Sequence, residues 1–308
     1  VPDVVKSGAP CESGDDANRE VHAVVVTYHP EERLEDVLRA LAGQVGRVWV
    51  IDNGSPRTYD TLFARLADIP AVRVIRYAEN RGIAAAINDG AHRAHASGAR
   101  RMVTFDQDSV VPSQFVETLS CIPSEFEAGR VAMWVPEVVH AGTGDPYRID
   151  KAAREGTRPV RFAITSGALV DLDVFEQLGG MWEDLFIDFV DFDYCIRLRQ
   201  AGFSILQSSD ARLPHEIGRQ SRHRVGPLNI VTTNHAAVRR YYKHRNFLLL
   251  ARRYWRTERP WLIRSLVGLL LDPLKIVFFE RQKHQKVSAI LRGWMDGLRG
   301  RVGKVRGG

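Results

Sequence analysis

The sequence predicts an α/β fold, a mostly parallel central sheet flanked by helices, with a basic helical appendage at the C-terminal end. Three observations carry this expectation. From residue 22 onward, short apolar runs of buried-strand type alternate with segments of helical periodicity, as consecutive βαβ units do. Several of these runs end abruptly in polar or acidic residues, at Thr27, Asp52 and Asp106. Charge is also divided unevenly: residues 1–238 hold 25 Lys/Arg against 33 Asp/Glu, and residues 239–308 hold 18 against 4. An acidic body thus bears a tail of net +14, which attracts phospholipid head groups, polyphosphates or nucleic acid.

Taken in order, residues 1–20 are polar and lack the apolar stretch of a signal peptide, which predicts a flexible lead-in. His22 to Tyr28 reads as a buried strand. Glu31 to Leu41 places Leu34, Val37, Leu38 and Leu41 at helical spacing. Arg47 to Ile51 is the second strand and ends in the turn cluster Asp52-Asn53-Gly54-Ser55. A helix over Thr58 to Leu66 leads to the third strand, Val72 to Tyr77. The Ala-rich stretch Gly82 to His95 predicts a helix, and the fourth strand runs into Asp106. Ligands of such sheets bind beyond the carboxyl ends of the strands. That rule gathers Thr27, Asp52, the Asn80-Arg81 turn, Asp106 and Asp108 at one rim. No Gly-x-Gly-x-x-Gly or Gly-Lys-Ser/Thr segment is present, which removes most of the weight from dinucleotide-binding and P-loop readings.

Asp106 and Asp108 flank Gln107. Alternate positions of an extended chain face the same side, so both carboxylates are expected to aim at one hard divalent cation. Taken alone, the same segment reads first as a turn with capping residues ahead of Pro112, and its surroundings decide.

The middle of the chain is less regular. Val131 to Val139 and Phe162 to Asp171 are expected as strands, the second interrupted by the small residues Thr165-Ser166-Gly167-Ala168. Gly179-Gly180 predicts a turn before Met181 to Phe189, and a helix is expected over Asp191 to Gln200. A short strand over Phe203 to Gln207 and a loop from Pro214 to Gly218 follow. From about Thr232 the composition shifts to long basic helices. Trp261 to Phe279 is the most apolar stretch, but Arg264, Asp272, Pro273 and Lys275 break the run needed to span a bilayer. It fits either an interfacial helix or one packed back on the main domain. The cysteines, Cys11, Cys121 and Cys195, are odd in number and form no Cys-x-x-Cys pair. That argues against a disulfide framework or zinc site and for a reducing compartment.

Four segments stand in a fixed order: Ile51-Asp52-Asn53-Gly54-Ser55, then Asn80-Arg81-Gly82 with Asn88 and Gly90, then Phe105-Asp106-Gln107-Asp108, and finally Phe189 to Arg197, with His215 beyond. This ordered set resembles family 2 glycosyltransferases of the GT-A fold, particularly the bacterial rhamnosyltransferase-like group, over roughly residues 21 to 245. The resemblance implies a GT-A catalytic domain over 21–230, with a nucleotide-binding half at 21–110 and an acceptor half at 111–230. A basic amphipathic helical region then covers 231–308. It implies that Asp52, with Thr27, contacts the donor nucleobase and that Asn80, Arg81 and Gly82 line the nucleotide pocket. Asp106 then lies near the ribose and metal, and Asp108 holds a Mg²⁺ or Mn²⁺ that bridges the donor diphosphate. His215 matches a late histidine that completes the metal or diphosphate site. Of the family's Glu-Asp catalytic pair, Val190 replaces the Glu and Asp191 keeps the Asp, which makes Asp191 the candidate base and Asp188 the next.

The implied reaction is an inverting, metal-dependent transfer of a sugar, with L-rhamnose from dTDP-β-L-rhamnose as the first choice. The acceptor is a hydroxyl of a cell-surface glycan or of a saccharide on a polyprenyl diphosphate. A galactofuranose or hexose donor carried on UDP or dTDP would need the same rim. Such chemistry passes through an oxocarbenium-like transition state, expels a diphosphate and needs a carboxylate to deprotonate the acceptor. The expected setting is cytoplasmic, peripheral on the inner membrane face, with an anionic lipid surface as partner, no nucleic acid and possible homo-oligomers. Two other classes compete. A sugar nucleotidyltransferase needs a Gly-rich basic loop that Tyr28-His29-Pro30-Glu31 does not supply. A non-catalytic membrane- or polyanion-binding scaffold would rest on the tail alone.

Overall fold

The computed structural model describes residues 19–121, 126, 130–140, 144, 156–215, 221–225, 228–232 and 234–305. The chain divides into two compact units. The first comprises Val1–Asn80, Ala86–Gly180 and Tyr194–His215, and the second Arg81–Ala85, Met181–Asp193 and Glu216–Gly308.

The first unit opens with β1 (Val21–Thr27), α1 (Leu34–Ala42), β2 (Arg47–Asp52), α2 (Asp60–Ala67), β3 (Val72–Arg76), α3 (Ile83–Ala96) and β4 (Arg101–Asp106). Periodicity located these elements to within a few residues. In α1, Leu34, Val37, Leu38 and Leu41 are all buried, as one face of a 3.6-residue helix requires. They pack on Ala23, Val25, Val48 and Val50 of the sheet, in the main core. The remaining elements of this unit are α4 (Phe115–Ser120), β5 (Val131–His140), β6 (Arg158–Pro159), β7 (Leu169–Asp171), α5 (Leu172–Gln177) and β8 (Ser204–His215). A helix, α6 (Val190–Gln200), runs into it from the second unit.

Eight strands form one sheet in the order β3-β2-β1-β4-β7-β5-β8-β6. β1 pairs in parallel with β2 and β4, β2 with β3, and β5 with β8. β7 runs antiparallel between β4 and β5. In register, Thr27 lies opposite Asp52, Val26 opposite Asp106, and Asp52 opposite Arg76. Three strand ends predicted to share a rim therefore do so.

Three expectations need correction. The strand foreseen over Phe162 to Asp171 shrinks to Leu169–Asp171. Thr165 to Ala168 instead makes a turn closed by Ala168 N–H donating to Thr165 O at 3.0 Å, and Thr104 O accepts the Gly167 N–H at 2.6 Å. The short strand foreseen over Phe203 to Gln207 continues to His215, because β5 offers a long parallel partner up to the pair His140–His215. Pro214 and His215 thus belong to a strand rather than a loop, while Glu216 to Gly218 lie outside the described residues. Cys121 is disulfide-bonded, against the reading that no cysteine is so paired. The odd count leaves Cys195 as a buried thiol outside any disulfide, its Sγ–H donating to Ala163 O at 3.8 Å.

The second unit contains a hairpin, β9 (Ser221–Val225) and β10 (Leu228–Thr232), that was not foreseen from the sequence. Three helices follow: α7 (Ala237–Tyr254), α8 (Arg259–Phe279) and α9 (Lys283–Leu298). Buried charges tie them together. Arg240 pairs with Asp272 at 3.1 Å and with Glu280 at 2.6 Å, and Lys286 reaches Glu280 at 2.9 Å and Asn234 at 2.6 Å. Removing one member of such a set strands a buried charge, at a cost of about 3–5 kcal/mol.

Candidate active site

In the first unit the rim is organised around Asp52, which is completely buried. Its Oδ1 accepts from Thr27 Oγ1 at 3.2 Å and Ser55 Oγ at 2.5 Å. Its Oδ2 accepts from the Ser55 N–H at 3.2 Å and Arg76 Nε at 3.1 Å. Four donors occupy the roughly four lone-pair positions that a carboxylate offers. Arg76 also pairs with Asp60 and donates to Ser55 O at 3.1 Å. The turn after β2 then passes Gly54, at φ +87°. A Cβ there would stand 2.6 Å from Asn80 N and 2.5 Å from Glu79 C, so only glycine lets this turn lie on the Glu79-Asn80 backbone. Thr27, Asp52 and Asn80 are thereby brought together.

β4 ends at Asp106, and the Ser109 N–H donates to Asp106 O at 3.2 Å. Gln107 and Asp108 therefore form a turn rather than the extended alternation expected of them. The turn is anchored through its middle residue. Gln107 Oε1 accepts from the Tyr28 N–H at 2.8 Å and Gln107 Nε2 donates to Tyr28 O at 3.2 Å. Asp108 stays open, its side chain 40 % exposed and 3.7 Å from Arg33 Nη2. Its oxygens suit a hard divalent cation that keeps positions for phosphate. Among the described residues no three His, Cys, Asp or Glu side chains gather to hold a metal unaided. His215 closes β8 opposite His140, and its side chain lies outside the described residues.

The other site residues belong to the second unit. Gly82 stands at φ +92°, where a Cβ would come within 2.7 Å of Phe186 O and 2.9 Å of Phe186 Cα. The Ile83 N–H donates to the same Phe186 carbonyl at 2.8 Å. Arg81-Gly82 is thus seated on the segment that carries Asp188. This segment is strained. Phe186, Asp188 and Phe189 all adopt positive φ, at 66°, 65° and 67°, a conformation that costs non-glycine residues about 1–3 kcal/mol each and persists only when surroundings enforce it.

The enforcement comes from α7. Asn246, fully buried, donates through Nδ2 to Leu185 O at 2.9 Å, Ile187 O at 2.8 Å and Asp188 O at 2.9 Å. Arg245 Nε donates to Asn246 Oδ1 at 2.9 Å and so fixes the amide's orientation, while its Nη2 donates to Asp184 O and Leu185 O at 3.0 Å each. Phe186 stacks on Tyr242 with centroids 4.8 Å apart.

The two candidate bases differ in surroundings. Asp188 spends both oxygens on Arg239, at 2.6 Å and 3.3 Å. Asp191 lies in the first turn of α6, where its Oδ1 accepts from the Phe192 N–H at 2.9 Å. It therefore does not cap the N–H groups deeper in the helix. Desolvation is the main influence on Asp191, aided by the Asp188 charge, and together they push its pKa up to about 7 against the pull of the Phe192 N–H and Arg239. Burial, with the charge of Arg239, holds the nearby His235 imidazole down to about 4. Arg239, Arg245, Asn246 and His235 were missed in the sequence. Within a strongly basic helical segment they read as solvated surface, and only the seven-residue spacing of Arg239 and Asn246, one face over two turns, hinted otherwise.

The chain matches the family described as "Glycosyl transferase family 2" over residues 23–178. It is 34% identical over 304 residues to the dTDP-rhamnosyl transferase RfbF of Shigella flexneri, covering 94% of this chain and 99% of that protein. Among solved structures it resembles S. aureus TarS 1–349 in complex with UDP-GlcNAc, with a TM-score of 0.58 at 13% identity over 90% of this chain and 81% of that one. It also resembles the mannosyltransferase PcManGT of Pyrobaculum calidifontis, in complex with GDP-Man and Mn²⁺, with a TM-score of 0.53 at 15% identity over 94% and 91%. At these identities the structural likeness speaks to the fold, and the fold is GT-A. The chain belongs to glycosyl transferase family 2, as a rhamnosyltransferase-like member of it.

Proposed function

We propose that the protein transfers L-rhamnose from dTDP-β-L-rhamnose, with inversion, to a hydroxyl of a cell-surface glycan or of a lipid-linked saccharide at the inner membrane face. The observation that carries the catalytic part is Asp191: a carboxyl drawn up to about 7 at a helix start, beside a second carboxyl already committed to Arg239. A base serves best when its pKa lies near the working pH. Asp191 takes the proton of the acceptor hydroxyl, and one direct displacement inverts the anomeric centre. Asp188 positions the segment through Arg239. The similarity to RfbF supports the choice of donor; a UDP-linked sugar at the same rim is the second reading.

In the first unit, Thr27, Asp52 and Asn80 are assigned to the donor nucleotide, Asp52 by shaping the rim, since its oxygens are taken by four protein donors. Asp106 and Asp108 would hold a Mg²⁺ or Mn²⁺, with His215 a further contributor. When bound, the metal supplies positive charge that stabilises the departing diphosphate.

Thermal unfolding tests the donor site. With Mn²⁺ or Mg²⁺ present, dTDP-rhamnose raises Tm, and a ligand at 100 times its Kd stabilises by about 2.7 kcal/mol. Asp108→Ala removes the metal-dependent part of that shift. If no dTDP- or UDP-sugar stabilises the protein with either metal, the donor site is misassigned.

A pH series tests the base. kcat/KM rises with pH through about 7 and then levels, as Asp191 loses its proton. The stability contribution runs the other way. A carboxyl whose folded pKa lies above its unfolded value stabilises the fold at low pH, and this contribution is lost as pH rises through about 7. Urea unfolding at about pH 4, near the unfolded carboxyl value, and at about pH 8, above the folded one, compared with Asp191→Asn, reads this difference. An Asp191→Asn protein with an unchanged pH dependence would remove Asp191 as its source.

A further inference from the structure

We infer that the outward face of α8 docks on an anionic lipid bilayer. This deepens the membrane-face part of the reading above and rests on it for why a transferase sits there. The helix has two apolar faces. Leu262, Leu269, Asp272 and Ile276 are buried, and Leu262 and Leu269 pack with Phe247 of α7. Roughly opposite, Ile263, Val267, Leu270, Leu274 and Phe278 are spaced four, three, four and four residues apart, which makes one stripe. They stand 47%, 54%, 59%, 56% and 70% exposed. A continuous exposed stripe of this kind marks an interaction surface.

Charge identifies the partner. Residues 239–308 contain four acidic residues, Glu258, Asp272, Glu280 and Asp296, and all four are buried. The bases buried beside them are Arg240, Arg245 and Lys286. The exposed bases include Arg252, Arg256, Arg259, Arg264, Arg281 and Lys283. Every charge that this segment presents to water, among the described residues, is therefore positive. An apolar stripe framed only by Lys and Arg matches an anionic interface, where the stripe enters the acyl boundary and the bases meet head groups. A second copy of the chain would set positive rim against positive rim. A nucleic acid would leave the apolar stripe without a role. Among the described residues no helix is long and apolar enough to cross a membrane; docking by its exposed stripe lays α8 along the surface.

Vesicle flotation with the full chain tests this. Wild type is expected to float with phosphatidylglycerol/phosphatidylcholine vesicles and about tenfold less with phosphatidylcholine alone, as electrostatic attraction to anionic lipid requires. The double substitution Leu270→Glu/Leu274→Glu, at two exposed positions, is expected to lower binding to anionic vesicles about tenfold or more. Its donor-induced Tm shift should match wild type, which shows that the fold is intact. Equal flotation of the double variant, or no flotation of wild type, overturns the inference. So does a concentration-dependent dimer, seen by sedimentation, that the double variant disperses, because the face then belongs to a second copy. A wild type that floats yet shows no donor stabilisation sinks the donor reading and leaves the docking surface standing.

Discussion

Asp191→Asn is expected to bind donor as wild type does and to lose transfer by about 10²–10⁴-fold, the usual contribution of a positioned general base. The substitution keeps the shape of the side chain and its contact with the Phe192 N–H, yet leaves nothing with the basicity to take the acceptor's proton. The Asp188–Arg239 pair stays in place. The loss should therefore fall on kcat, with the donor-induced Tm shift preserved. Single-turnover transfer from a radiolabelled donor measures it. Near-normal turnover would hand the role to Asp188, which would first have to release a guanidinium bound through both of its oxygens.

Asn246→Ala is expected to cost about 2–4 kcal/mol of stability, because it leaves buried carbonyls of the strained segment without a donor. Leu185 O retains Arg245, so the loss falls on Ile187 O and Asp188 O, which are partly buried and place the cost toward the lower end of that range. Urea unfolding reads the stability. Hydrogen exchange at the amides of residues 185–189 separates local release from global loss, since faster exchange confined to this segment shows that the amide was holding it. A further readout is kcat, which falls once the segment relaxes from its left-handed geometry. A stable Asn246→Ala protein with unaltered exchange would show that the positive φ angles have another support.

Much of the first unit was legible because its signals are local. Leu34, Val37, Leu38 and Leu41 announce α1 by spacing alone, and strands β1 to β4 are apolar runs that stop at polar residues. The errors have physical causes. Thr165 to Ala168 sits between apolar stretches and so reads as strand, yet Thr104 captures its backbone as a turn. β8 looks finished at Ser208-Ser209-Asp210, yet Ser209 to Ala211 bulge out of register and the strand pairs with β5 again from Arg212. In the hairpin, the first strand, Ser-Arg-His-Arg-Val, is too polar to read as a strand, and the apolar second, Leu-Asn-Ile-Val-Thr, was passed over. The rim residues Thr27, Asp52 and Asp106 could be read from where strands end. Asp108 follows two residues after Asp106, in a turn rather than the extended backbone expected of it. Arg239, Arg245 and Asn246 could not be read, because their partners lie far back along the chain and a polar position on a basic helix carries no mark of burial.

Three left-handed residues within four positions, none of them glycine, have a consequence for engineering. Glycine would be at ease at 186, 188 and 189, yet each site keeps a side chain for something glycine cannot supply: Phe186 stacks on Tyr242, Asp188 grips Arg239, and Phe189 meets Trp261. Relaxing such positions is an easy route to a sturdier protein and a common way to lose activity. A screen for heat-resistant variants should therefore find this segment early, and the hardiest survivors from it should be among the slowest enzymes.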